Sequence, residues 1–264
     1  MTGNEAQAAA REVGDHPVVE KGARLGFAVS GVMHLVIALL ALQVAWGGGG
    51  ASADQSGALG TLSQNPVGLL VLWVMVIGFL ALGLWQVTEV VRDRSDDGAV
   101  TDRAKAAGKA VLYLALAWSS FRFASGGGSS SKDQTQDITA TLMGAPFGRV
   151  LVGLVGLGVI AVGLYHVYKG WTEGFLDDLE RNPGPWATRA GRVGYIAKGV
   201  ALTVVGGLFG VAALQKQSSE ASGLDGALRT LREQPFGPYL LSAVALGLAA
   251  YGLYSFARAR HADL

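Results

Sequence analysis

Half of the 264 residues are hydrophobic and only 16% are charged, against about a quarter charged in an average soluble domain. A net charge near +1 leaves no basic face for a nucleic-acid backbone. The absence of cysteine excludes a disulfide framework, a thiolate metal site and a thiol nucleophile. What remains is a polytopic membrane protein whose charges fall in blocks between apolar runs.

In chain order, residues 1–23 carry Asn4, Glu5, Arg11, Glu12 and Asp15 without an apolar core. They read as a disordered cytoplasmic tail rather than a signal or transit peptide. Apolar runs of about 20 residues, the length a hydrocarbon core of ~30 Å asks of a helix, begin at Leu25, Val67, Ala106, Phe147, Val193 and Phe236. The third is bracketed closely by Lys109 and Arg122, so as a span it relies on neighbouring helices and on long side chains that reach the interface. The glycine-rich pieces beginning at Gly47 and Gly126 read as slack connectors. Ahead of the second, fourth and sixth runs stand Leu59 and Leu62, Thr139 and Leu142, and Leu228 and Leu231. This i, i+3 spacing predicts a short interfacial helix before each return span. Residues 259–264 form a closing cytoplasmic tail.

The even-numbered runs share a motif: Asn65-Pro66-Val67-Gly68, Ala145-Pro146-Phe147-Gly148 and Gln234-Pro235-Phe236-Gly237. Seventeen residues after each proline comes Gly83-Leu84-Trp85, Gly163-Leu164-Tyr165 or Gly252-Leu253-Tyr254. One hairpin is therefore written three times, over 24–92, 103–171 and 189–258. The prolines are expected in the first turn of each return helix, where a missing N–H costs nothing. The first and third copies open on Arg24-Leu25-Gly26-Phe27 and Arg192-Val193-Gly194-Tyr195, whereas the second has Arg103-Ala104-Lys105-Ala106.

With these motifs the chain, from about Arg24 to Arg258, resembles a bacterial, mainly actinobacterial, membrane family catalogued as domain of unknown function 1206 and built as three such hairpins. The resemblance implies that architecture and brings no activity, cofactor or catalytic residue with it.

Orientation follows from Lys and Arg, which cytoplasmic loops hold in excess. Of the 21 basic residues, only Arg122, Lys132, Arg149, Lys216, Arg229 and Arg232 fall on the side of the intra-hairpin loops, so both termini are expected in the cytoplasm. Three hairpins of one hand imply an approximate threefold axis along the membrane normal: an all-α pseudo-threefold bundle of six transmembrane helices. Close helix approach is expected at Gly26, Gly31, Gly78, Gly83, Gly158, Gly163, Gly194, Gly199, Gly247 and Gly252, which either pack or leave an axial passage. Trp85, Tyr165 and Tyr254 are expected in a cytoplasmic aromatic belt.

Among polar residues within the runs, His34 lies ~15 Å beyond Arg24, with Tyr113 at the equivalent place of the second copy. The pair could share a hydrogen bond, His34 being either a satisfied core histidine or a handler of protons or ligand. His166 falls ~15 Å from His34 along the normal, too far for one iron to join them. Gln43 and Arg122 end the first helices of copies one and two, where Arg122 either snorkels to headgroups or selects anions at a mouth. Glu89, Arg92, Lys169 and Arg258 read as topology signals and headgroup contacts. Ser119 and Ser120 lack a histidine at their depth, and Asp54, Asp137 and Asp225 fall in loops expected to be flexible.

No metal, cofactor or catalytic residue is expected. The reading is a non-enzymatic, multi-pass protein of the bacterial inner membrane, structural, regulatory or an assembly partner, in contact with membrane lipids and other membrane or envelope proteins. The alternatives are a channel or small-solute transporter along the axis, and a lipid or isoprenoid binder between hairpins.

Overall fold

The computed structural model describes residues 17–47, 50–91 and 99–263. Residues 1–16 of the expected tail, with Arg11 and His16, and also Gly48, Gly49, Arg92 and Arg94, lie outside the described residues. Nine α-helices follow one another among those described: α1 (Pro17–Ala45), α2 (Gln55–Ser63), α3 (Pro66–Val91), α4 (Ala99–Ala124), α5 (Ser131–Gly144), α6 (Gly148–Trp171), α7 (Pro185–Gln215), α8 (Gly223–Glu233) and α9 (Gly237–His261). Short 3-10 turns, Gly174–Asp178 and Ser218–Glu220, follow α6 and α7. Helix α1 starts at Pro17, inside the segment expected to be a disordered tail, and α9 runs on to His261.

Five helices, α1, α3, α6, α7 and α9, are long and apolar enough to cross a membrane. Helix α4, like α3, has 26 residues, yet Asp102, Arg103, Lys105 and Lys109 in its first half keep it out of that set.

The short helices α2, α5 and α8 stand where the i, i+3 pairs predict them, and Leu59, Thr139 and Leu228 are their buried anchors. Their exits differ. Pro66 opens α3, and the Asn65 side chain accepts the Gly68 N–H at 2.8 Å as an N-cap. Ala145 and Gln234 cannot cap in this way. There the backbone makes a turn instead, with Gly148 N–H to Ala145 C=O at 2.9 Å and Gly237 N–H to Gln234 C=O at 2.8 Å. Pro146 and Pro235 thus precede their helices rather than open them, and Phe147 (φ 60°) and Phe236 (φ 61°) take the left-handed place that follows proline in a type II turn. The glycine two residues after each proline is needed because a Cβ would run into the carbonyl oxygen of Leu62, Leu142 or Arg232 at the end of the short helix.

The glycine connectors carry defined caps. Gly126 (φ 78°) ends α4 in a Schellman motif, with Gly127 N–H to Arg122 C=O at 2.9 Å and Gly126 N–H to Phe123 C=O at 3.3 Å. Gly47 (φ 82°) follows α1, while Lys216 (φ 60°) takes the left-handed position after α7.

By packing, the described residues form two compact units, drawn from 1–30, 62–127 and 255–264 in the first and from 31–61 and 128–254 in the second. In the first unit α3 packs along α4, with Gly83 against Leu114. The start of α1 lies on α3, where a Cβ on Gly78 would stand 3.0 Å from the Gly26 Cα. Arg24 donates to the Arg260 carbonyl at 3.0 Å, bringing the end of α9 to α1.

In the second unit α6 and α7 form an antiparallel seam built on glycine. Gly156, Gly163 and Gly170 recur at seven-residue intervals on α6, as Gly199 and Gly206 do on α7. A Cβ on Gly163 would lie 2.8 Å from the Gly199 carbonyl oxygen, and one on Gly199 would lie 2.5 Å from that of Gly163. The Gly156–Gly206 pair repeats the arrangement at 2.8 and 2.6 Å. A sustained heptad keeps such a seam between two helices in register. Gly158 is not part of it: it is exposed, and a Cβ there would meet nothing within 4 Å. Helix α9 lies on α7, where a Cβ on Gly194 would be 2.5 Å from the Tyr251 Cα and Gly247 faces Ala197. It also lies on α1, where a Cβ on Gly252 would be 2.9 Å from the Gly31 carbonyl.

Candidate functional site

The second unit holds a row of aromatic and titratable side chains, buried at its tyrosines and partly buried at its ends. After α6 the backbone reverses at Glu173 (φ 59°), and the 3-10 turn drives Phe175 to complete burial. Gly191 makes room, since a Cβ there would be 2.5 Å from the Phe175 ring. Phe175 stacks on Tyr195 at 5.2 Å and 11°, and meets Tyr254 edge-on at 5.1 Å. The Tyr254 hydroxyl donates to the Phe175 carbonyl at 3.2 Å. Tyr254 is therefore a core residue, not a member of an interfacial belt, because the turn after α6 folds across it. Tyr165, on α6, is half exposed, and Trp85 in the first unit keeps its indole N–H buried with no hydrogen-bond partner among the described residues.

From this core the rings extend both ways. Tyr251 meets Tyr195 edge-on at 5.3 Å, His34 of α1 lies 4.7 Å from Tyr251, and His166 of α6 stacks on Tyr195 at 5.7 Å. The order is thus His34, Tyr251, Tyr195, His166, with two tyrosines between the histidines. Two ammonium groups lie over the tyrosines: Lys198 at 4.3 Å from the Tyr251 centroid and Lys169 at 5.9 Å from that of Tyr195. Such placement is favourable for a partly desolvated cation. Lys169 also pairs with Asp178 at 2.7 Å and Arg192 with Glu173 at 3.6 Å, so these bases serve the fold itself rather than only the membrane surface. In the first unit the Arg258 guanidinium sits 4.3 Å from the Phe27 centroid, and Glu89 is buried.

A second constellation gathers the short helices. Asp54 and Asp225, expected in flexible loops, are 1% and 3% exposed. Asp54 accepts the Gly57 N–H at 3.0 Å and the Ser56 hydroxyl at 2.7 Å, and Ser56 in turn accepts the Ser131 N–H at 3.0 Å. Asp225 accepts the Ala53 N–H at 2.8 Å and pairs with Arg229 at 2.8 Å. Gln136 donates to the Ser219 carbonyl at 2.7 Å. Residues of all three intra-hairpin loops are thus tied by hydrogen bonds; the acceptors Asp54, Ser56 and Asp225 are buried, the condition under which a bond is most costly to lose, whereas the Gln136–Ser219 bond is exposed. Asp137 is exposed, with its carbonyl accepting the Thr141 hydroxyl.

Tyr113 stacks on Phe79 at 6.3 Å in the first unit. Gln43 and Arg122 are exposed. Ser120 is fully buried and donates to the Leu116 carbonyl at 2.8 Å, while the Nδ1 atoms of His166 and His261 lie 2.8 and 2.9 Å from the carbonyls of Val162 and Ala257. Among the described residues no three His, Asp or Glu side chains stand close enough to hold a metal. Sequence reasoning missed Tyr195, Lys198 and Tyr251. Their signal was the i, i+3 spacing of Tyr195 with Lys198 and of Tyr251 with Tyr254, which puts each pair on one helical face.

Chemically, the row offers two imidazoles and two phenols in edge or stacked contact, with ammonium groups above them. It can hold a cation's charge on π faces, and its imidazoles can each carry a proton. The polar junction, by contrast, spends its donors and acceptors on the protein's own backbone.

Comparison with known proteins agrees with the repeat. The chain is 31% identical over 248 residues to the uncharacterized protein YxxB of Bacillus subtilis (strain 168), covering 90% of each chain. No solved structure matches. The profile of Domain of Unknown Function (DUF1206) matches three times, over residues 25–93, 104–173 and 193–262, and the chain belongs to that family.

Proposed function

We propose that this multi-span protein is a non-catalytic element of the bacterial plasma membrane, a structural, regulatory or assembly partner for other envelope components. In this reading α4 is a sixth crossing, both termini are cytoplasmic, and the three hairpins are related by an approximate threefold rotation about the membrane normal. Support for the rotation lies in the pairing: the second long helix of each copy lies against the first of the next, α3 on α4, α6 on α7, and α9 on α1. A charged stretch such as the start of α4 is tolerated beside other protein, as α4 is beside α3.

The observation that carries the non-catalytic reading is how the buried polar groups are employed. Asp54, Ser56, Asp225 and Tyr254 each bond to the protein's own backbone or to a neighbour within a short helix. The test is reconstitution in vesicles of bacterial lipid. We expect no turnover of lipid or peptide substrates and recovery of the protein in larger assemblies after cross-linking in native membranes. Turnover lost on replacing one polar side chain would end the proposal. Reporter fusions between α3 and α4 and between α5 and α6 should fall on opposite sides of the membrane if α4 crosses.

A second reading, a path for ions or small solutes, is favoured by the His34–Tyr251–Tyr195–His166 row, whose tyrosines are buried and whose histidines are partly buried. Single cysteines at the buried Ala38, Ala110 and Ala201, in a chain with none of its own, test water entry by thiol labelling. Gly199 is unsuitable, because any Cβ there strikes the Gly163 carbonyl. Unlabelled sites together with no ion flux remove this reading.

A further inference from the structure

A cavity of about 380 Å³, lined by Ala140, Met143, Gly144, Arg149, Lys216 and Ser218, lies where α5, the start of α6 and the end of α7 meet. Its two charged lining residues are both cationic, and among the described residues neither is paired with a carboxylate. Arg149 is fixed by its Nε, which donates to the Ala213 carbonyl at 3.1 Å and leaves the rest of the guanidinium uncommitted. The neighbouring Ala212 carbonyl accepts the backbone N–H groups of Lys216 and Gln217. Two carbonyls at the end of α7, those of Ala212 and Ala213, are thereby satisfied, and the charged groups lining the cavity are its two cations.

Lys216 gives an independent indication. It holds a left-handed conformation (φ 60°) after the first long helix of its repeat, the position that Gly47 and Gly126 take in the other two. Glycine is the unstrained choice there, and a lysine keeps strain for the sake of its side chain. Close to the lining residues in the chain stand three exposed apolar side chains, Phe147 at 87%, Leu214 at 80% and Val150 at 61%, together with the exposed polar Gln215 and Gln217. A soluble anion leaves Phe147, Val150 and Leu214 uncovered, whereas a lipid presents a phosphate with acyl chains beside it.

We infer that this cavity binds the phosphodiester headgroup of an anionic phospholipid, with Arg149 and Lys216 holding the phosphate and Phe147, Val150 and Leu214 lying along the acyl chains. The volume falls within the range of small-ligand sites, and Arg suits a tetrahedral oxyanion through its paired N–H donors. The inference does not depend on the function proposed above.

The test is native mass spectrometry of the full-length protein released from mixed micelles of phosphatidylglycerol and phosphatidylcholine. The wild type should retain phosphatidylglycerol preferentially. Lys216→Gly, which removes the charge and relieves the backbone, should keep the thermal unfolding of the wild type while retention falls about fivefold. Arg149→Gln should lower it similarly, and Lys132→Gln, outside the cavity, should leave it unchanged. Equal retention by Lys216→Gly and the wild type overturns the inference. So does displacement of the lipid by millimolar inorganic phosphate, which would make this a site for a free anion.

Discussion

The glycine seam between α6 and α7 makes a prediction whose sign can be worked out from geometry. In Gly199→Ala the new Cβ would stand 2.5 Å from the Gly163 carbonyl oxygen and 2.7 Å from the Val167 nitrogen. Both are backbone atoms, so no side chain can rotate away and the helices must part by roughly 0.5–1 Å, which forfeits a quarter to a half of the dispersion energy of the atoms along the seam. Overpacking of this kind costs about 1–3 kcal/mol, while replacing a helical glycine by alanine returns about 1 kcal/mol. The net expectation is a loss of up to about 2 kcal/mol, towards the upper end because the Gly156–Gly206 approach lengthens with it. Gly158→Ala on α6 is the control, since its Cβ meets nothing and only the propensity gain remains. Thermal unfolding in one detergent, followed by loss of the monodisperse peak in size-exclusion chromatography, should put Gly199→Ala a few degrees below the wild type and Gly158→Ala at or above it. If the two variants shift alike, the seam is not held by backbone contact and the reasoning fails.

Other substitutions probe the polar junction and the caps. Asp225→Ala leaves the buried Ala53 N–H without its acceptor and should cost about 2 kcal/mol, read as a lower Tm together with faster proteolysis near residue 53. The exposed Arg229 partner adds little to that loss. Tyr254→Phe removes only the hydroxyl donation to Phe175, and should cost about 1 kcal/mol by the same assay. Tyr165→Phe, on a half-exposed ring, should cost nothing measurable. Asn65→Ala removes the side-chain cap on Gly68 and should cost about 1 kcal/mol. Ala145→Ser should be close to neutral, because the turn there already satisfies the Gly148 N–H through the backbone.

What could be read from the order of residues alone was whatever depends on near neighbours. The three proline motifs, the long apolar runs and the i, i+3 anchors Leu59 and Leu228 announce hairpins with a short helix inside each, because helix length and helical face are local periodicities. Gly199 and Gly163 could be singled out as small residues in apolar helices. Which backbone each would touch could not. Gly158 matches Gly78 and Gly247 in the repeat yet faces open space, while the unremarked Gly156 takes its place in the seam. Tyr254 occupies the position of Tyr165 and is fully buried, because only the third copy has Phe175 folded across it. Asp54 and Asp225 looked like loop residues, and became buried acceptors once the short helices were brought together. Facing, burial and the partners of a polar group are set by segments far apart in the chain, so they emerged only when the helices packed, whereas repeat, span and turn were settled within each stretch of sequence.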